Sequence, residues 1–443
     1  MKTLIRDAQI VADGRVGRGS VLIGDDGRIS DVLADGVPLP SADDVVDASG
    51  LYLLPGAIDD HVHFREPGLT HKADMASESA AAVLGGVTSV MDMPNTVPQT
   101  TSVEAWQAKM DAARGRMLTN YAFYIGATND NAEELLRADY SRVCGIKVFM
   151  GSSTGGMLVN SETSLRQIFA EAPTLIATHC EDEAIIRANA EKVRAVYGDN
   201  VPWAEHPKIR TAEACYASSL RAVEMARQTQ ARLHIMHITT SRELGLLDAP
   251  TSRRRITGEA CPAHLWFTDA DYSCLGPLIK CNPAVKTAED RDALRRAVAS
   301  GLIAAIGTDH APHAKDEKFG RDYWHTPSGM PMVQHSVPLM MRLADEGWWD
   351  YPTVARLMAE GVAELYGIED RGHVRAGQWA DIALLRPCRG VVKTVAYKCG
   401  WSPLMGETLN HCVERTYVNG RLVAAGGKVV GSAAMPLTFS PRR

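Results

Sequence analysis

The sequence predicts an α/β fold: a (β/α)8 TIM-like barrel with a small β-sandwich domain formed by both chain ends. Three observations carry this. Between residues 57 and 308, eight strand-like runs alternate with helix-like segments, the mark of βα units around a parallel sheet. Both ends of the chain are instead rich in short β runs and turns. Polar residues gather at the C-terminal ends of the eight runs, where a barrel converges on its working face.

In chain order, residues 1–50 form the first part of the β domain. Val21-Leu22-Ile23 runs into Gly24-Asp25-Asp26-Gly27, a hairpin signal. The barrel spans 51–365. Its strands are expected at 57–63, 87–93, 121–125, 146–150, 175–178, 233–236, 256–261 and 303–308, the seventh being the weakest pattern. Helical stretches separate them, among them 73–84, 102–113 and 212–229. Residues 366–443 return to β character, with an Asn-Gly turn at Asn419-Gly420. Two β-rich ends flanking a barrel imply one discontinuous domain, since chain termini often lie close together.

Composition narrows the function. A net charge of -6 gives no electrostatic case for nucleic acid or an anionic membrane. No apolar run is long enough to span a bilayer, and Arg6-Asp7 directly after Leu4-Ile5 leaves no signal-peptide core. Nine cysteines without paired spacing argue against a disulfide framework or a cysteine zinc site. They fit a cytoplasmic location. Cys144, Cys180 and Cys261 read as small buried apolar residues.

The chemistry centres on Asp59-Asp60-His61-Val62-His63-Phe64-Arg65, which follows the turn Pro55-Gly56. Side chains alternate along a strand, so Asp59, His61, His63 and Arg65 are expected on one face. Two imidazoles so placed can hold one metal ion, with Asp59 as the carboxylate that orients a ring. Asn95, His179, His237, His264 and Asp309 also fall at or just past strand ends. A lone histidine there is ordinarily a hydrogen-bonded rim residue; their convergence from several strands points to a site. Lys147 stands inside an apolar run. Such a lysine either snorkels to the rim or loses its proton, and a neutral amine can add carbon dioxide to give a two-oxygen carbamate. Asp309, in Gly307-Thr308-Asp309-His310-Ala311-Pro312-His313, can cap a turn, or bind metal and shuttle a proton. Gly151-Ser152-Ser153-Thr154-Gly155-Gly156 lacks the Gly-Lys-Ser/Thr ending of a P-loop and reads as a loop near the site. His234 is expected on the opposite face from His237. His71, His206, His310, His325 and His335 read as surface or core residues.

The stretch from Ile58 to Gly68 resembles the signature of dihydroorotases, in the amidohydrolase superfamily. Met93-Pro94-Asn95-Thr96, Lys147-Val148-Phe149-Met150-Gly151, His179-Cys180-Glu181-Asp182, His237-Ile238-Thr239-Thr240, Cys261-Pro262-Ala263-His264, Lys280-Cys281-Asn282-Pro283 and Thr308-Asp309-His310 extend the likeness over nearly the whole chain. The resemblance implies two zinc ions. His61, His63 and Asp309 would hold one, His179 and His237 the other, and carbamylated Lys147 would bridge them. Asp309 would be the catalytic acid–base. Arg65, Asn95 and His313 would grip a substrate carboxylate, with Asn282 nearby and backbone contacts near Ser328-Gly329. Some members carry a bridging aspartate after the strand; Ser152-Ser153-Thr154 there implies the lysine version. The activity implied is reversible, zinc-dependent closure of N-carbamoyl-L-aspartate to L-dihydroorotate in pyrimidine biosynthesis. Two alternatives share the pattern: an allantoinase or hydantoinase, and an inactive scaffold for aspartate transcarbamoylase. The scaffold is disfavoured because every expected ligand is present. A homodimer or homotetramer, and association with aspartate transcarbamoylase, are the partner expectations.

Overall fold

A computed structural model describes residues 1–151, 157–251 and 254–440. Strands Ala57–Val62, Val87–Asp92 and Asn120–Phe123 pair in parallel as one three-stranded sheet. Strands Ile125–Gly126, Ile146–Phe149, Ile176–His179, Leu233–Ile235, Ile256–Ala260 and Ala305–Ile306 pair in parallel as a six-stranded sheet. Tyr124 joins the two, so the third expected strand is split in a pair of short pieces. Closure comes from the amide of His63, which donates to the carbonyl of His310 at 2.8 Å. All eight expected strands are present, the weak seventh included.

Local chemistry sets the helix starts. Asp74 and Ser77 form a reciprocal cap on helix Met75–Leu84. Ser102 caps Val103–Ala113 through the amide of Ala105, and Thr211 caps Ala212–Thr229 through that of Ala214. These caps satisfy amide donors that the first helical turn leaves without partners.

Inward and outward residues separate into two apolar clusters. Ile58, Met91, Ala122, Ala177, Met236 and Ala305 meet in one, floored by Val362, Tyr366, Leu437 and Phe439. Val87, Val90, Phe123, Val148, Ile176 and Ile235 belong to the larger cluster shared with the helices. The filled lower interior confines any site to the opposite end.

Both chain ends build one nine-stranded sheet. Strand Tyr52–Pro55 pairs with Thr3–Ala12 on one side and with Ile382–Val391 on the other. Its core joins Ile5, Val21, Ile23 and Leu53 to Ile382, Leu384 and Tyr417. Hydrogen bonding makes this β layer continuous through Tyr52–Pro55. Cysteine spacing gave no sign that Cys388 and Cys412 form a disulfide. They meet because strands Ile382–Val391 and Thr408–Val418 are antiparallel neighbours, a proximity set by strand register and invisible in the spacing.

Candidate active site

A cavity of about 160 Å³ opens at the C-terminal ends of the barrel strands. His61, His63, Arg65, Asn95, Lys147, His179, His237, Asn282 and Asp309 all line it, with Phe149, Ala311, Ser328 and Gly329. Of the residues expected to hold metal or substrate, His313 alone is set back from the wall. Arg65, His237 and Asp309 have positive φ, at 65°, 40° and 47°. Non-glycine residues rarely adopt this conformation, and it clusters where the surrounding fold imposes a functional geometry.

One side of the cavity gathers residues that could hold metal. Asp309 Oδ1 lies 3.3 Å from His61 Nε2 and 3.0 Å from His63 Nε2. The donor atoms of these three residues fall within 4.8 Å of one another. His179 Nδ1 stands 2.9 Å from His237 Nε2. The rings of His61, His63 and His179 each have an outer partner that orients them. His61 Nδ1 donates to Glu259 Oε1, which also accepts from the backbone amide of His237 at 3.1 Å. His63 Nδ1 faces Asn95 Oδ1 at 2.8 Å. His179 Nε2 donates to Glu181 Oε2 at 3.0 Å, and Arg210 pairs with the same oxygen. Donation to Glu181 leaves the lone pair of His179 on Nδ1, toward His237.

Charge follows this geometry. Burial pulls His63 down to about 4, against the opposing pull of Asp309. It also lowers His179 and, more strongly, His237. These rings are therefore neutral at pH 7, the form in which imidazole binds metal. Burial works against the charge of Asp309, but the adjacent His61 and His63 outweigh it and hold the carboxyl well below its usual range. Neutral imidazoles beside an ionised carboxylate suit a divalent ion with nitrogen and oxygen preferences.

Lys147 is the second residue of its strand, 1 % exposed, with Nζ 2.8 Å from Met236 Sδ and over the ring of Phe149. Among the described residues it makes no ion pair. Burial lowers its pKa to about 8, so roughly a tenth is neutral amine at pH 7, far more than an exposed lysine would offer.

The other side of the cavity is cationic. Arg65 is 5 % exposed. Its Nε donates to the carbonyl of Pro312 at 3.1 Å, and an Nη lies 3.3 Å from His313 Nε2. Among the described residues it makes no ion pair. Asn282 Oδ1 is buried without a hydrogen-bond partner among those residues. His313 Nε2 also faces the carbonyl of Ser328 at 3.0 Å, and Lys72 and Glu317 flank its Nδ1. Burial pulls its pKa down to about 3. His313 thus stands behind Arg65.

Three sequence expectations change. Asp59 does not orient a ring; it accepts from the amide and hydroxyl of Thr308, at 2.9 and 2.6 Å, and ties the first barrel strand to the segment after the last. The carboxylate behind His61 is Glu259. Strict alternation also fails, because the register with the neighbouring strand shifts between Asp59 and Val62. Asp60 and His61 both end beside Glu259: His61 bonds it, while His234 Nε2 lies 3.6 Å from Glu259 and 3.7 Å from Asp60. His264 leaves the convergent set, since its Nε2 faces the carbonyl of Pro283 and it does not line the cavity. The predicted loop residues Ser152, Ser153, Thr154, Gly155 and Gly156 lie outside the described residues.

Sequence reasoning missed Glu259, Glu181 and Arg210. Glu259 carried the same signal as Lys147, an ionisable residue inside an apolar strand, but in the weakest strand pattern. Glu181 is two residues after His179; nothing local marks Arg210 as its partner.

The sequence profile described as the amidohydrolase family matches residues 52–423. The chain is 34% identical over 405 residues to the dihydroorotase of Halobacterium salinarum, covering 89% of this chain and 92% of that one. It is 32% identical over 440 residues to the allantoinase of Rubrobacter xylanophilus, with 96% of each covered. Its fold superposes on the L-hydantoinase (dihydropyrimidinase) of Arthrobacter aurescens with a TM-score of 0.93 at 25% identity, over 98% of this chain and 99% of that one.

Proposed function

The chain belongs to the amidohydrolase family, and from that premise we propose that it is a dihydroorotase, a cyclic amidase that interconverts N-carbamoyl-L-aspartate and L-dihydroorotate. The observation that supports this substrate is Arg65. A buried guanidinium is costly unless an anion meets it, and Arg65 makes no ion pair among the described residues. It lines the cavity beside Asn95 and Asn282. The ring of dihydroorotate carries a carboxylate; hydantoin and dihydrouracil carry none and would leave Arg65 unmatched. Guanidinium binds carboxylate through two parallel hydrogen bonds, which fixes the ring as well as attracting it.

The donor set suits two divalent ions. His61, His63 and Asp309 would hold one, and His179 and His237 the other. Zinc fits these nitrogen and oxygen donors. Lys147, as the carbamate formed when its neutral amine adds carbon dioxide and releases a proton, would add an anionic oxygen ligand to this set. Bound there, the ions would polarise the scissile ring carbonyl and acidify a water. Asp309, kept ionised by His61 and His63, is the proton carrier: it accepts from the attacking water and delivers to the departing ring nitrogen. In synthesis the transfers reverse. Arg65 holds the carboxylate through both, and Asn95 orients His63 at the boundary of the two sides.

Allantoin or hydantoin hydrolysis is the second reading, supported by the allantoinase and hydantoinase likenesses. Turnover of dihydroorotate, dihydrouracil, hydantoin and allantoin by purified protein of measured metal content separates the two. A dihydroorotase turns over dihydroorotate with the highest kcat/KM; preference for an uncharged ring assigns the second reading instead.

A further inference from the structure

Lys318 ends a short helical turn nine residues beyond Asp309 and is fully buried. Its Nζ donates to the carbonyls of Lys280 at 2.9 Å, Pro327 at 3.0 Å and Gly329 at 2.7 Å. Three acceptors match the three N–H bonds of an ammonium; a neutral amine has two. Lys280 is also buried, and its Nζ donates to the carbonyls of Tyr323 and Thr326, both at 2.6 Å. Neither lysine makes an ion pair among the described residues. Burial pushes Lys318 well below the usual lysine range, and the charges of Lys280 and Arg65 add to that push. The three carbonyl dipoles act against it.

These contacts hold one wall of the cavity. Gly329 lines it together with Ser328. The amide of Gly329 donates to the carbonyl of Lys280 at 2.9 Å. Its φ is +136°, and a Cβ there would sit 2.5 Å from the carbonyl oxygen of Ala311. The lip therefore approaches its neighbours as closely as backbone can. His313 joins it to Arg65, with Nε2 between the Ser328 carbonyl and the guanidinium. A loop needs only neutral donors to be pinned, and burying an ammonium costs far more than burying an amide. The charge is explained if it is used when an anion enters on the same side.

We propose that Lys318 is a specificity-determining positioning residue: its ammonium fixes the Ser328–Gly329 lip and, from behind the cavity wall, favours anionic over neutral cyclic amides. It touches no substrate atom. The inference rests on the dihydroorotase reading and deepens it, because Arg65 would then be one part of a cationic wall.

The test compares kcat/KM for dihydroorotate and dihydrouracil in the native metal-loaded protein, Lys318→Gln and Lys318→Met. Glutamine keeps donors for the carbonyls without the charge. The expected result is a fall of about tenfold in the dihydroorotate-to-dihydrouracil ratio in both variants, an interaction of the size a charge exerts across one layer of protein. The loss should lie in KM for dihydroorotate, with metal content unchanged. Lys318→Arg, which keeps the charge, should hold the ratio near its native value and covers the case in which the neutral variants do not fold; a tenfold fall in that variant would overturn the inference. Equal losses for both substrates would make Lys318 a loop support only and overturn the inference. A native enzyme that prefers dihydrouracil would instead overturn the dihydroorotase reading itself.

Discussion

The two sides of the cavity are built on opposite electrostatic plans. On the metal side, His61 and His179 each have a carboxylate behind them, Glu259 and Glu181, and Asp309 stands between His61 and His63. Negative charge is collected there, and burial keeps His63, His179 and His237 neutral. On the far side, Arg65 and Lys318 are backed by carbonyl oxygens and make no ion pair among the described residues. One side is prepared to receive cations and the other to receive an anion. A binding site can be read from the sign of charge that its own residues leave unanswered.

The largest effects should come from the metal side. His61→Ala or His179→Ala removes one of a few donors, and turnover should vanish with a fall from near two divalent ions per chain. Elemental analysis of the purified variants, in parallel with activity, checks this. Full activity after verified removal of all metal would end the comparison, since the donors would then have no cation to serve. Lys147→Ala should come close behind. It should lose turnover and at least one ion, and a short carboxylic acid in excess should restore part of both by supplying the missing oxygens. An isotopically labelled carbamate carbon should appear in the native protein after incubation with labelled bicarbonate. Fully active, metal-loaded protein with an unmodified ammonium at Lys147 would refute the bridging role.

The cationic side should show an intermediate effect of a different kind. Arg65→Met should leave the metal content unchanged while kcat/KM for dihydroorotate falls by roughly a hundredfold to a few thousandfold, from the about 3–5 kcal/mol that follows loss of one partner of a buried charge pair. Dihydrouracil should lose far less. Similar losses for both rings would mean that Arg65 supports the fold of the cavity instead of reading the carboxylate.

The barrel was legible because its signals are local. Alternating runs, caps at Asp74, Ser102 and Thr211, and polar residues at strand ends all lie within a few positions of one another. The same holds for the residues that line the cavity: His179, His237 and Asp309 each follow an apolar run, and Lys147 interrupts one. What escaped was set by contacts between distant segments. Glu259 reaches His61 across 198 positions and Arg210 reaches Glu181 across 29. The place of Asp59 escapes strict alternation, because the neighbouring strand imposes a register shift between Asp59 and Val62. His264 has the position of a ligand, yet it is held away by the carbonyl of Pro283. The disulfide of Cys388 and Cys412 follows from which strands pair.

The smallest effect should distinguish the two metal positions. Burial would raise the pKa of Glu181, but Arg210 and His179 outweigh it and hold the carboxyl at about 2. That ionised oxygen keeps the proton of His179 on Nε2 and the lone pair on Nδ1. Glutamine at 181 can still accept from Nε2, or turn its amide and donate to it, which would move the ring proton to Nδ1 and remove the metal donor. His61 and His63 keep Glu259 and Asn95 and should be unaffected. Glu181→Gln should therefore weaken one ion by about 10–100-fold, the usual cost of losing an outer partner of a metal-bound histidine, and leave the other near native affinity. Titration of a chelator against the native protein and the variant, with metal content followed at each step, resolves the two ions. Equal weakening of both would show that the donors behave as one unit; an unchanged profile would show that Arg210 and the backbone orient His179 without the charge of Glu181.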